Sequence, residues 1–192
     1  MKKLIIAIFL LILCCQQYSF ADEVKNEMYY KRQIQNQRYL YNNTGFFNAI
    51  TKKDSKTVEL FLKAGFNPNT TCGGTPIIMH ALFVNDMKSF ELLLKAGADP
   101  ETSVPALWVS AKPQNLLSFA IKRKSSEAVK ILIENKVDVN KVFNGRTPLN
   151  YTISSKQTKI TEMLLRAGAK PDEKTMELVN KSKDEYLKSL FE

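Results

Sequence analysis

Histidine and tryptophan occur once each among 192 residues, as His80 and Trp108, and cysteine only three times, at Cys14, Cys15 and Cys72. That scarcity excludes most chemistry. A tetrahedral zinc site needs four nitrogen, sulfur or carboxylate ligands, which one histidine and one cysteine in the body of the chain do not supply. A Cys72–His80 dyad fails on length, because Thr75 to His80 is about 7.5 Å of helical rise. No glycine-rich phosphate loop and no HExxH occurs. His80 is read as a partly buried helix residue, and the chain as non-catalytic, without metal or cofactor. Outside the leader only Cys72 remains, so no intrachain disulfide can form there. Cys72 is read as a small turn residue beside Gly73 and Gly74, with an intermolecular bridge as the alternative.

Long apolar runs are missing as well. The stretch Leu4 to Cys15 has 12 residues, whereas a membrane span needs about 20. Lys2 and Lys3 precede it and Ser19-Phe20-Ala21 follows, the pattern of a secretory signal peptide over residues 1–21. Cleavage after Ala21 predicts a soluble protein in the periplasm or outside the cell. Lipid attachment at Cys14 or Cys15 is the alternative, for which Leu13 is a poor fit. The rest of the chain suffices for one elongated domain.

Acidic residues are outnumbered, 19 against 28 lysines and arginines, for a net charge of +9. Such an excess steers an acidic partner. The lysines are dispersed without interleaved aromatics, and export removes the protein from most nucleic acid, so a protein with an acidic surface is expected instead.

What the chain does contain is an internal repeat. The segment LKAG ends at Gly65 and again at Gly97, and its relatives IENK and LRAG end at Lys136 and Gly168. The intervals are 32, 39 and 32 residues, a solenoid period with one insertion. The units start TGFFNAI (from Thr44), TPIIMHA (Thr75), QNLLSFA (Gln114) and TPLNYTI (Thr147), and end VELFLKAGFNPN, FELLLKAGADPE, VKILIENKVDVN and TEMLLRAGAKPD. Thr75-Pro76 and Thr147-Pro148 are helix starts, a side-chain cap followed by a residue with no N–H to lose. Val58, Phe61 and Leu62 fall at i, i+3 and i+4, as do Phe90, Leu93 and Leu94, and Val129, Leu132 and Ile133, which predicts a second helix with one buried stripe. The glycines that follow stop it in the left-handed conformation. Asn67-Pro68, Asp99-Pro100 and Asn144-Gly145 supply turns.

With four copies in register over Thr44 to Asp172, the chain resembles the ankyrin-repeat family, whose units read roughly TPLHxAA and then a helix ending in LLxxGAD. The resemblance implies an all-α solenoid of four helix-turn-helix repeats with projecting turns. The boundaries are expected near 44–72, 73–102, 103–141 and 142–172, after a helical cap or partner-binding arm over 22–43. A C-terminal capping helix over 173–192 would start at Asp172 and bury Met176, Val179, Leu187 and Leu190. The departures are specific. The family's histidine is replaced by Phe47, Ile78, Leu117 and Asn150, which removes the usual polar link at the base of the turn. Gly45 stands for proline in the first repeat and Gln114-Asn115 for Thr-Pro in the third, so both starts are expected to be softer. Lys136 replaces the stopping glycine, so either a residue with a Cβ turns left-handed, at a cost of roughly 1 kcal/mol, or the turn changes.

Function follows from the same resemblance. Turn tips and the inner ends of first helices are the family's usual contact surface, which here places Thr71, Cys72, Phe143, Asn144 and Arg146 on tips and Lys52, Lys122 and Arg123 on the helical side. Stacking would gather Lys52, Lys53, Lys122, Arg123 and Lys124 into a basic strip or a plain solvated face. The second turn is six or seven residues longer than the others and holds Trp108 between Pro105 and Pro113. Trp108 is either a binding anchor or a patch over the core. The expected function is a monomeric protein-binding module of an exported, bacterial kind. The alternative is an immunity or accessory protein for one periplasmic toxin or enzyme.

Overall fold

The computed structural model describes residues 24–104 and 114–192. The signal-peptide reading and Trp108 lie outside the described residues. The chain divides into two compact units, one up to Asn67 and one from Pro68.

The first unit holds α1 (24–36), α2 (Asn43–Thr51) and α3 (Ser55–Lys63). Its core is aromatic. Phe46 lies 5.0 Å from Phe61 and 4.8 Å from Phe66 between ring centroids, and Tyr41 stacks on Phe61 at 5.7 Å. The Tyr41 hydroxyl donates to the Ala64 carbonyl at 2.7 Å, and Ile34 of α1 is fully buried. The softer start expected at Gly45 is corrected here. Asn42 caps α2 by accepting the Gly45 N–H at 2.8 Å, a bond proline could not donate. A Cβ on Gly45 would sit 1.8 Å from the Leu40 carbonyl oxygen. Glycine is the residue this helix start requires.

Among the described residues, the second unit holds three helix pairs and a cap. The hairpin β1 (Thr71–Cys72) and β2 (Thr75–Pro76) leads into α4 (Ile77–Phe83) and α5 (Met87–Lys95). The strands β3 (Ser103–Val104) and β4 (Gln114–Asn115) lead into α6 (Leu116–Lys122) and α7 (Ser126–Glu134). A single bridge, Phe143 to Arg146, leads into α8 (Pro148–Ser154) and α9 (Thr158–Arg166). First helices stack in the order α4, α6, α8, and second helices in the order α5, α7, α9. Phe90, Leu93, Val129 and Leu132 are fully buried, so the predicted stripe forms the seam between repeats.

Two helix starts differ from expectation. Thr75 does not cap α4, because Thr75-Pro76 is occupied as a strand opposite Thr71-Cys72 and the helix begins one residue later. Gln114-Asn115 is not soft. Asn115 accepts the Ser118 N–H at 2.7 Å while the Ser118 hydroxyl accepts the Asn115 N–H at 3.2 Å, a reciprocal box that satisfies two otherwise orphaned donors. Thr147 caps α8 as predicted, accepting from Asn150 N–H at 3.2 Å.

The predicted single capping helix is two, α10 (Glu173–Asn180) and α11 (Glu185–Ser189). Asp184 caps the second by accepting from Leu187 N–H, so the chain turns where a straight helix would carry Leu187 past the core. Val179 and Leu187 pack on Ile153, but Met176 is exposed. Lys136 does take the left-handed conformation, with φ 60° beside 79°, 92° and 88° at Gly65, Gly97 and Gly168.

Candidate binding groove

The hairpin that leads into α8 builds one wall of a groove. Asn144 and Gly145 both have positive φ, 53° and 75°, the combination a two-residue turn needs to match the twist of its strands. Phe143 and Arg146 close it through two backbone hydrogen bonds, 2.9 and 3.2 Å. Their side chains are thereby fixed at the foot of the turn. Asn115, the cap of α6, lines the groove together with Ser118 and Lys122 of that helix and Tyr151 of α8. The enclosed volume is ≈ 220 Å³.

The lining combines half-buried rings with exposed cations. Phe143 and Tyr151 are half-buried, whereas Lys122, Lys141 and Arg146 are exposed. Lys141 is held by Glu101 at 2.7 Å, and that hydrogen bond raises its ammonium pKa. Among the described residues no carboxylate pairs with Lys122 or Arg146. Their charge is therefore open to a ligand.

Four of the eight residues singled out from sequence meet here, namely Lys122, Phe143, Asn144 and Arg146. The others do not. Thr71 is exposed on β1, and Arg123 turns its guanidinium to the Phe119 ring at 5.6 Å. Lys52 belongs to the first unit, where its amine lies 5.2 Å from the Tyr39 ring. Tyr151 was missed. Its only signal is its position one turn after Thr147, on the side of α8 that faces the hairpin.

Sequence reasoning also missed the ties between repeats. Asn69 donates to the Gly97 carbonyl at 3.1 Å and accepts from Asp99 N–H at 2.8 Å. Asn140 does the same one repeat pair later, to Gly168 at 3.2 Å and from Lys170 at 2.7 Å. At the equivalent place Glu101 accepts from Asp138 N–H at 2.7 Å and holds Lys141. These residues are the last letters of the repeat ends, and they fix the hairpins relative to one another. His80 is half-buried against Phe83, and burial holds its imidazole below the usual range, so it is neutral at neutral pH. Among the described residues no helix is long and apolar enough to cross a membrane.

Residues 105–175 match the family model for ankyrin repeats in three copies. The crystal structure of the human ASB11 ankyrin repeat domain is similar, with a TM-score of 0.56 and 19% identity, covering 76% of this chain. The chain spans 66% of that domain's length, just under two thirds, and at this identity the likeness is one of fold. No curated protein is significantly similar in sequence. The fold is thus an all-α ankyrin-repeat fold, in general a non-catalytic protein-interaction architecture.

Proposed function

We propose that this chain is an exported protein-binding module that takes an acidic segment of its partner in the groove between the third and fourth repeats. The observation that carries the reading is the pairing of two uncompensated cations, Lys122 and Arg146, with two half-buried rings, Phe143 and Tyr151, in one cleft. An aromatic wall gives contact area at little entropic cost, and nearby cations select a carboxylate. Hairpin tips, including Thr71, and Trp108 on the long second turn would extend the contact toward about 800 Å² on each side. Export rests on the leader over residues 1–21. Adaptor, immunity and accessory roles all use such a surface, and the identity of the partner decides between them.

Capture of partners from the exported fraction of its own cells, with the wild type beside Phe143→Ala and Arg146→Glu, tests the reading. Partners retained by the wild type and lost by both variants support the groove. For an isolated partner, Phe143→Ala is expected to cost on the order of 2 kcal/mol through faster dissociation. Arg146→Glu is expected to slow association, most at low salt. Unchanged affinity in both variants, with circular dichroism intact, moves the contact elsewhere. Trp108→Ala in the same assay separates a binding anchor from a core patch, since only the latter lowers stability and leaves binding intact.

A further inference from the structure

The edge of the second unit that carries the helix-to-helix turns holds a row of cations that the groove does not use. Lys124, in the turn after α6, lines one surface depression together with Lys156 and Lys159. Lys156 also lines the next, with Lys181 and Lys183 of the cap. It therefore joins the two, and five exposed ammonium groups follow one another along the stack. Lys124 and Lys156 occupy the left-handed apex of their turns, with φ 55° and 56°. The one carboxylate lining either depression, Asp184, is taken up as a cap, accepting from Leu187 N–H at 3.0 Å and from the Thr158 hydroxyl at 2.7 Å. Only Lys181 has an ion-pair partner among the described residues, Glu177 on the same helix.

An exposed ring borders this row. Arg123 lies over Phe119, and Phe119 neighbours Phe83 at 6.4 Å between centroids. Phe83 is 50% exposed. Lysines alone lack the planar fork with which arginine reads individual carboxylates or phosphates. Single-stranded nucleic acid would need rings interleaved with the cations rather than one ring at the border. What remains is diffuse attraction to a dense negative surface, and an exposed apolar ring at its edge can bury itself at the boundary between headgroups and acyl chains.

We propose that this edge docks the protein peripherally on an anionic phospholipid bilayer. Neither Phe143 nor Tyr151 lines the two depressions, so the membrane contact and the partner groove use different residues and can be occupied together.

Co-sedimentation of the purified full chain tests this, with vesicles of phosphatidylcholine alone and of phosphatidylcholine mixed with phosphatidylglycerol. The wild type is expected on the mixed vesicles only, and added salt is expected to release it. Each lysine near such a surface contributes about fivefold in partitioning, so the triple variant Lys124→Gln, Lys156→Gln, Lys183→Gln is expected to lose about 100-fold. Phe83→Ser weakens the remainder several-fold, whereas Arg146→Ala, in the groove, leaves it unchanged. The proposal is overturned by equal binding to both vesicle types, by absence of binding to either, or by a folded triple variant that binds like the wild type. Preferential capture of the strip by a soluble acidic polypeptide added in competition overturns it as well. The vesicle outcomes do not bear on partner capture by the groove, which Phe143→Ala reports separately.

Discussion

The Asn150 side-chain amide donates to both carboxylate oxygens of Asp172, at 3.1 and 3.0 Å, although 22 residues separate them. Its carbonyl oxygen accepts from the Thr175 hydroxyl at 2.8 Å. Asn150 and Thr175 are buried, whereas the Asp172 they share is exposed. The family's polar link at the base of the turn, expected to be missing, is present at this one junction with asparagine as its donor. Phe47, Ile78 and Leu117 at the matching places have no polar atom to offer.

Asn150→Leu, which copies the third repeat, is expected to destabilise the protein by about 1–3 kcal/mol. The buried Thr175 hydroxyl loses an acceptor, and weakening the partners of a buried polar group costs about that much. Asp172, which is exposed, loses two contacts to the same donor. Urea unfolding monitored by circular dichroism measures it. An unchanged midpoint would mean that water replaces the amide without loss.

The same carboxylate makes the cap sensitive to acid. Hydrogen bonds from the Thr175 side chain and backbone, then from Asn150, hold the Asp172 pKa below its ordinary 3.8. Its stabilising contribution is therefore present above the unfolded value and is lost as pH falls through the lower folded value. Melting temperature followed from pH 6 down to about pH 2 is expected to fall less steeply in Asp172→Asn than in the wild type. Parallel curves would contradict the assignment.

Gly45→Ala is expected to destabilise by about 1–3 kcal/mol, despite alanine's better helix propensity of about 1 kcal/mol. The clash at 1.8 Å is with the Leu40 backbone, which cannot swing aside as a side chain would. Thermal melts of the two proteins decide the sign.

Lys136→Gly is expected to stabilise by a few tenths to about 1 kcal/mol. Relief at φ 60° is partly offset by the freedom glycine gives the unfolded chain. No glycine-like opening is needed, since the other three repeats already carry glycine at this stop. Destabilisation in a denaturant melt would show that the lysine side chain stabilises more than its backbone costs.

Gln157→Asp is expected to gain about 1 kcal/mol. Asp54, Asp86 and Ser125 each cap their second helix at 3.1–3.2 Å, whereas Gln157 makes no side-chain cap bond. Its amide is turned to Ser155 instead, at 2.8 Å. Equal stability in a urea titration would mean that the burial of Gln157 forbids the shorter carboxylate from reaching Ile160 N–H.

Periodicity carried the buried stripes and the glycine stops, because each depends on neighbours within about one helical turn, whereas for Lys136 it left a left-handed residue and a changed turn both open. The joints between paired helices were invisible by contrast. Lys53, Asn85, Lys124 and Lys156 all have φ of 55–57°, yet none is glycine, so no residue type marks the position. Backbone bonds close each joint on its own, as from Lys53 to Ile50 and Asp54 to Ala49. The ties made by Asn69, Glu101 and Asn140 were missed for another reason. Their partners lie 28 to 40 residues away and become neighbours only after stacking. In the groove, the hairpin residues were legible from the Asn-Gly turn, while Tyr151 required the position of α6 in the preceding repeat.

The register of the second turn has an engineering consequence. Ser103 pairs with Asn115 and Val104 with Gln114, so the two flanks of this turn are held antiparallel. Asn115 is further locked by its box with Ser118, which anchors α6 whatever happens upstream. A flexible insert placed between the two flanks is expected to be tolerated, since doubling the length of such a loop costs only about 0.6 kcal/mol. This junction can accept foreign sequence, a recognition peptide or a reporter tag, without a register slip in the helices behind it.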